Sequence, residues 1–86
     1  MIEHINEQID CICIYERLGA VVKPYKIKWN GRVYKITTLG YHHVRRDGRY
    51  IHHIFSVSTD TLAFKLRLDS ETLHWYVEEV SDGAPN

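Results

Sequence analysis

Tyr25-Lys26-Ile27-Lys28-Trp29-Asn30-Gly31-Arg32-Val33-Tyr34-Lys35-Ile36 is the stretch that decides the fold. Tyr25, Ile27 and Trp29 alternate with Lys26 and Lys28, the period-two pattern of a half-buried strand. Asn30-Gly31 follows, and that dipeptide suits a two-residue hairpin turn because both of its positions need positive φ. Such a turn pairs Trp29 with Arg32, Ile27 with Tyr34 and Tyr25 with Ile36. Turn chemistry and apolar pattern therefore agree on one register, and Lys26, Lys28 and Lys35 line the opposite, solvent face.

Upstream, Pro24 suits the start of a strand or a sheet edge, where no ladder donor is required. Residues 11–15 alternate as an earlier strand, and Leu18-Gly19-Ala20 breaks it. Ile2, Ile5 and Ile9 have the spacing of a short helical turn. Downstream, a long strand runs over residues 33–44 with Gly40 inside it, the mark of a bulge or bend. Asp47-Gly48 starts the turn into residues 51–57. A two-residue turn there pairs His43 with His52 and His42 with His53; a three-residue turn pairs His42 with His52 and Tyr41 with His53. Leu62, Phe64, Leu66 and Leu68 alternate next. A four-residue turn at Asp69-Ser70-Glu71-Thr72 sets Leu68 against Leu73, Leu66 against Trp75 and Phe64 against Val77.

The expectation is an all-β domain over residues 1–86 with a loose tail at 81–86. Five or six antiparallel strands form a meander, and a sheet this short curls into a small SH3-like or OB-like barrel or half-barrel. Its expected core is Tyr25, Ile27, Trp29, Tyr34, Ile36, Phe55, Leu62, Phe64, Leu66 and Trp75.

The composition is that of a globular chain, with 44% apolar and 26% charged residues. The longest apolar runs fall far short of a membrane-spanning helix, and the first residues carry neither a basic leader nor an apolar block. Cys11 and Cys13 share one face of a strand, a spacing awkward for a disulfide, and read as reduced thiols of a cytoplasmic protein. The net charge is zero, but it is uneven. Residues 23–50 carry eight lysines and arginines against Asp47 alone, and both flanks are acidic.

The stretch from Pro24 to Ile36 fits the pattern P-x-x-x-x-W-x-G-R-x-Y. Together with Phe64-Lys65-Leu66-Arg67-Leu68 and Thr72-Leu73-His74-Trp75, it resembles an uncharacterised family of small bacterial all-β domains over about residues 7–82. Domains of that family stand alone or occur with proteins similar to Y-family DNA polymerases. The resemblance implies the fold, and by context an association with DNA repair. The histidine-rich hairpin lies outside its pattern.

His42, His43, His52 and His53 gather on one hairpin and are the candidate metal ligands. Two cross-strand imidazoles supply half of a tetrahedral site, and Cys11 and Cys13 complete it only if the first strand lies alongside. The spacing matches no metal motif, so no cofactor is expected. No nucleophile elbow or phosphate-binding glycine loop is present, and Glu78 and Glu79, adjacent on a strand, point to opposite faces. The chain therefore reads as a non-catalytic binding or accessory module whose leading partner is another protein, with no membrane role. The alternative is a nucleic-acid-binding small barrel. Lys26, Lys28, Lys35, Arg45, Arg46 and Arg49 would supply its charge, and Tyr41 and Tyr50 its stacking surface.

Overall fold

The computed structural model describes residues 1–18 and 21–82. It forms one antiparallel sheet of seven strands: β1 (Ile2–Glu16), β2 (Val21–Trp29), β3 (Arg32–Lys35), β4 (Thr38–Asp47), β5 (Tyr50–Ser58), β6 (Ala63–Asp69) and β7 (Trp75–Ser81). Their order across the sheet is β3-β2-β1-β7-β6-β5-β4. The sheet is not a closed barrel: β3 and β4 are its two edges, although only Ile36 and Thr37 separate them in the chain. Those two residues turn a corner. Ile36 N–H donates to Tyr25 O at 2.8 Å, and Thr37 N–H donates to Ser58 O at 2.8 Å. The chain thus leaves one end of the sheet and enters the other.

The additional strand is the N-terminal one. In place of a helical turn, β1 runs extended for 15 residues, its first half on β7 and its second half on β2. Asn6 adopts φ 55° within a register shift between His4 and Glu7. The isoleucine spacing that mimics a helix thus belongs to a bulged strand, in which Ile5 and Ile9 pack on the core. The break at Gly19-Ala20 and tail residues 83–86 lie outside the described residues. Ser81, assigned to the tail, pairs instead with Ile2 and Ala63.

The Asn30-Gly31 hairpin forms as its chemistry demands, with φ 55° and 78°, Trp29 opposite Arg32 and Ile27 opposite Tyr34. It folds over one face of the β7-β6-β5 region. Buried Ile27 there meets Phe55, Val57, Phe64, Leu66, Leu68, Trp75, Val77 and Val80 in a single core. Trp29 and Tyr34 stand edge-on to Phe64, at 5.7 and 5.2 Å between ring centroids. Trp29 Nε1 donates to Glu7 Oε2 at 3.2 Å, tying β2 to the far half of β1.

Tyr25 leaves the expected core. Lys26 pairs with Ile12 and Pro24 with Cys13, so Tyr25 is the extra residue of a bulge. Pro24 turns inward and is buried, while Tyr25 lies outside beside Lys26 and Lys35. Gly40 is likewise the extra residue between the Leu39–Val57 and Tyr41–Ser56 pairs. A Cβ there would lie 3.0 Å from Ser56 O, so any larger residue has to push the β5 backbone back by a few tenths of an ångström.

Two registers differ from expectation. Asp47 pairs with Tyr50, which leaves Gly48 and Arg49 as the loop, with Gly48 at φ 62°. Glycine at the first loop position fits a type II′ turn. His42 therefore faces Phe55, His43 faces Ile54, Val44 faces His53 and Arg45 faces His52. The last hairpin pairs Leu68 with Trp75, Leu66 with Val77 and Phe64 with Val80. Its loop is longer than four residues because Asp69 organises it. The Asp69 carboxylate accepts from the Glu71 and Thr72 amides, and Leu73 takes φ 65°.

Candidate functional site

Three groupings of polar or unpartnered side chains emerge from this topology. The first is the outer face of β1-β2-β3. Ladder rows put Ile12 beside Lys26 and Lys35, and Asp10 beside Lys28 and Val33. Ile12 is 59% exposed and Val33 65%, with Ile14 next to them on β1. A shallow depression of about 230 Å³ runs between Asp10, Ile12, Lys26, Lys28 and Val33. The Tyr25 ring lies 5.7 Å from Lys26 Nζ and 5.9 Å from Lys35 Nζ. Among the described residues, the lysines and arginines in ion pairs are Lys23, Arg45, Lys65 and Arg67; Lys26, Lys28 and Lys35 have no carboxylate within ion-pair distance.

The second is the sheet face opposite the core, over β4-β5-β6-β7. Glu78 is the extra residue of a bulge between Val77 and Glu79, so Glu78 and Glu79 reach the same face instead of opposite ones. Arg45 grips Glu78 with two hydrogen bonds, of 2.9 and 3.0 Å, and Arg67 adds a third at 2.9 Å. Two strands separate β4 from β7, so flat strands spaced about 4.8 Å apart would put these backbones roughly 14 Å away from each other. Arg45 and Glu78 therefore reach toward each other across the two intervening strands. Arg67 stacks on Tyr76 at 4.3 Å, and Ile54 is wholly buried on the same face. Burial pushes the Glu78 carboxyl up, but hydrogen bonds from Arg45 and Arg67 outweigh it and hold the group below the usual carboxylate range. The same bonds raise Arg45. Lys65 and His4 flank Glu79 at 3.6 and 3.4 Å, and His52 lies 3.7 Å from Asp69.

The third is a histidine pair on the core-side face of β4 and β5. His42 Nε2 and His53 Nδ1 are 2.8 Å apart, and the His42 ring lies flat on Phe55, 4.5 Å between centroids and 10° from parallel. Burial, then the neighbouring His53 and His43, push His42 below the usual histidine range.

The residues considered together for nucleic acid are thus divided. Lys26, Lys28 and Lys35 share one surface. Arg45 is bound to Glu78, Tyr41 stacks on His43 at 5.4 Å, and Arg49 covers Tyr50 at the tip of the β4–β5 hairpin. Arg46 pairs with Ile51 next to that tip. The four histidines divide as well, His43 and His52 pointing away from His42 and His53. Cys11 and Cys13 sit on β1, which β7, β6 and β5 separate from β4, and they are free thiols. Among the described residues no three His, Cys, Asp or Glu side chains converge as metal ligands, and no helix is long and apolar enough to cross a membrane. The Arg45–Glu78–Arg67 cluster escapes sequence reasoning, because it depends on a bulge and on the order of the strands in the sheet.

The chain matches no family model, no curated protein and no solved structure.

Proposed function

We propose that this chain is a non-catalytic binding or accessory module that docks another protein on the outer face of β1-β2-β3. One observation carries the reading: Ile12, Ile14 and Val33 stand exposed among Lys26, Lys28 and Lys35, which among the described residues form no ion pair, with Asp10 beside Lys28 the one carboxylate in their ladder rows. Exposed aliphatic side chains do nothing for a phosphate backbone. Ringed by free ammonium groups, they suit a surface that offers apolar side chains flanked by carboxylates. The nucleic-acid alternative is weaker because Arg45 is occupied by Glu78, and Tyr41 lies on a different surface from the lysines. The resemblance around Pro24-Tyr25 and Trp29-Asn30-Gly31-Arg32 makes a polymerase-associated assembly the first place to seek the partner.

The test compares what co-purifies from the native host with the wild-type chain, with Ile12→Glu/Val33→Glu, and with a control altered on another surface, Arg46→Glu/Arg49→Glu. A protein retained by wild type and control and lost from the first variant supports the reading. Equal retention by all three overturns it. So does oligonucleotide binding at tens of micromolar whose affinity falls steeply with salt.

A further inference from the structure

The β4–β5 register makes His42 and His53 diagonal neighbours on one face, since His42 opposes Phe55 and Val44 opposes His53. Their ring centroids are 5.0 Å apart and their planes differ by 17°. Of that separation, 2.8 Å lies between His42 Nε2 and His53 Nδ1. The two nitrogens therefore face each other near the line joining the rings, and the imidazoles are not stacked. His42 is braced from behind by Phe55. We propose that this pair is a two-imidazole chelate for a divalent transition ion of square-planar preference, copper(II) first.

The separation of the hydrogen-bonded nitrogens also matches the span of neighbouring ligands in a square plane. With metal–nitrogen bonds of about 2.0 Å, nitrogens 2.8 Å apart subtend about 90°, the angle between neighbouring ligands in a square plane. A tetrahedral ion would spread them to about 3.3 Å and require further protein ligands. Among the described residues no third His, Cys, Asp or Glu joins the pair. Copper(II) accepts two imidazoles and completes its plane with solvent, and it heads the affinity order for divalent ions, ahead of nickel and zinc. Ligation needs the lone pairs of His42 Nε2 and His53 Nδ1 at once. The hydrogen they share moves to the outer nitrogen of its own ring, so a neutral pair binds without net proton release. The rings then tilt from facing each other toward the common ion. His42 is exposed and His53 half-buried, which leaves the ion a way in from solvent. The bound ion would clasp the edge strand β4 onto β5.

The test uses the untagged chain in a His4→Ala background, which removes the histidine nearest the N-terminal amine. Copper(II) is titrated in a non-coordinating buffer and followed by calorimetry and electron paramagnetic resonance. The expected result is one ion per chain, a spectrum with two imidazole nitrogens in the plane, and a melting temperature raised by several degrees at saturating copper. His42→Ala and His53→Ala should each weaken binding at least tenfold, and His43→Ala and His52→Ala should not. Because His42→Ala uncovers Phe55, His53→Gln checks the assignment with less disturbance of the core. Three results would overturn it: copper retained equally by the His42 and His53 variants, zinc bound more tightly than copper, or no binding below about 100 µM.

Discussion

Replacing Glu78 by Gln should destabilise the fold by removing one charge and one of two acceptor oxygens while keeping the size of the side chain. The carboxylate is only 12% exposed and accepts three hydrogen bonds, two from Arg45 and one from Arg67. A glutamine of the same size keeps one acceptor oxygen and turns an amide N–H₂ toward a guanidinium. Hydrogen bonds to charged groups are worth roughly 1.5–3 kcal/mol each when well buried. Arg45 is 43% exposed, so solvent screens its share, and Arg67, 18% exposed, carries more. The expected cost is about 2 kcal/mol, a fall in melting temperature of roughly 8–16 °C for a domain of this size. Glu79→Gln is the control. Its partners Lys65 and His4 lie at 3.6 and 3.4 Å, and the loss should be under about 0.5 kcal/mol. Since Glu78 titrates below its ordinary value in the folded state, its contribution is complete above the unfolded-state pKa. It fades as pH falls through the lower folded-state value. The gap between wild type and Glu78→Gln should therefore close with acidification. Thermal melts at neutral and acidic pH, with a double-mutant cycle against Arg67→Ala, measure it. A Glu78→Gln protein that melts within 2 or 3 °C (about 0.5 kcal/mol) of wild type at neutral pH would refute the account.

Trp75→Ala should cost about 3–5 kcal/mol, enough to unfold the domain at moderate temperature, since Trp75 is buried against Phe55 at 5.4 Å. Tyr25→Ala, on the outer surface, should shift the melt by about 0.5 kcal/mol or less; equal effects would place Tyr25 back in the core. Gly40→Val should lose about 1–3 kcal/mol in a urea melt, because its Cβ presses on Ser56 O, and Gly48→Val should lose about 1–2 kcal/mol for a different reason: nothing lies near Gly48, but φ 62° at the first loop position strains an L side chain. Burial, with the adjacent Cys13, pushes the Cys11 thiol up to about 12, so a disulfide reagent at neutral pH should titrate exposed Cys13 at once and Cys11 only after denaturation. Two thiols reacting at one rate would contradict this burial.

Features set by a few neighbouring residues could be read from the sequence. Asn30-Gly31 specifies its hairpin because the positive φ values and the alternation of Ile27, Trp29 and Tyr34 agree, and Gly40 announced its bulge. Features set by distant pairing could not. Asp47-Gly48 contains the turn glycine, but whether Asp47 belongs to the loop or the ladder depends on β5 and on what packs behind it. That one-position difference decides which histidines meet. The bulges at Tyr25, Asn6 and Glu78 answer to neighbouring strands, and each reverses the apparent alternation. For the same reason Glu78 and Glu79 came to share a face, and Arg45 took a partner 33 residues away. The lysine face was legible as solvent-exposed; that Ile12, Ile14 and Val33 stand beside it depends on which strand lies next to β2.

The place of β1 in the middle of the sheet also bears on how the chain folds. Every other neighbouring pair of strands is joined by a short connection and can form as a local hairpin. The β1–β7 ladder joins Ile2 to Ser81 and Ile9 to Trp75, close to the whole length of the chain. Such a closure has the highest contact order in the molecule and should be the late, rate-limiting step, on the millisecond-to-second scale typical of non-local β topologies. Until it happens, the β4–β7 meander carries an open edge at β7 and its apolar face lacks β2. If folding proceeds in that order, the half-sheet awaiting β1 is the species with the most exposed edge, and solubility during refolding should depend on how quickly that strand docks.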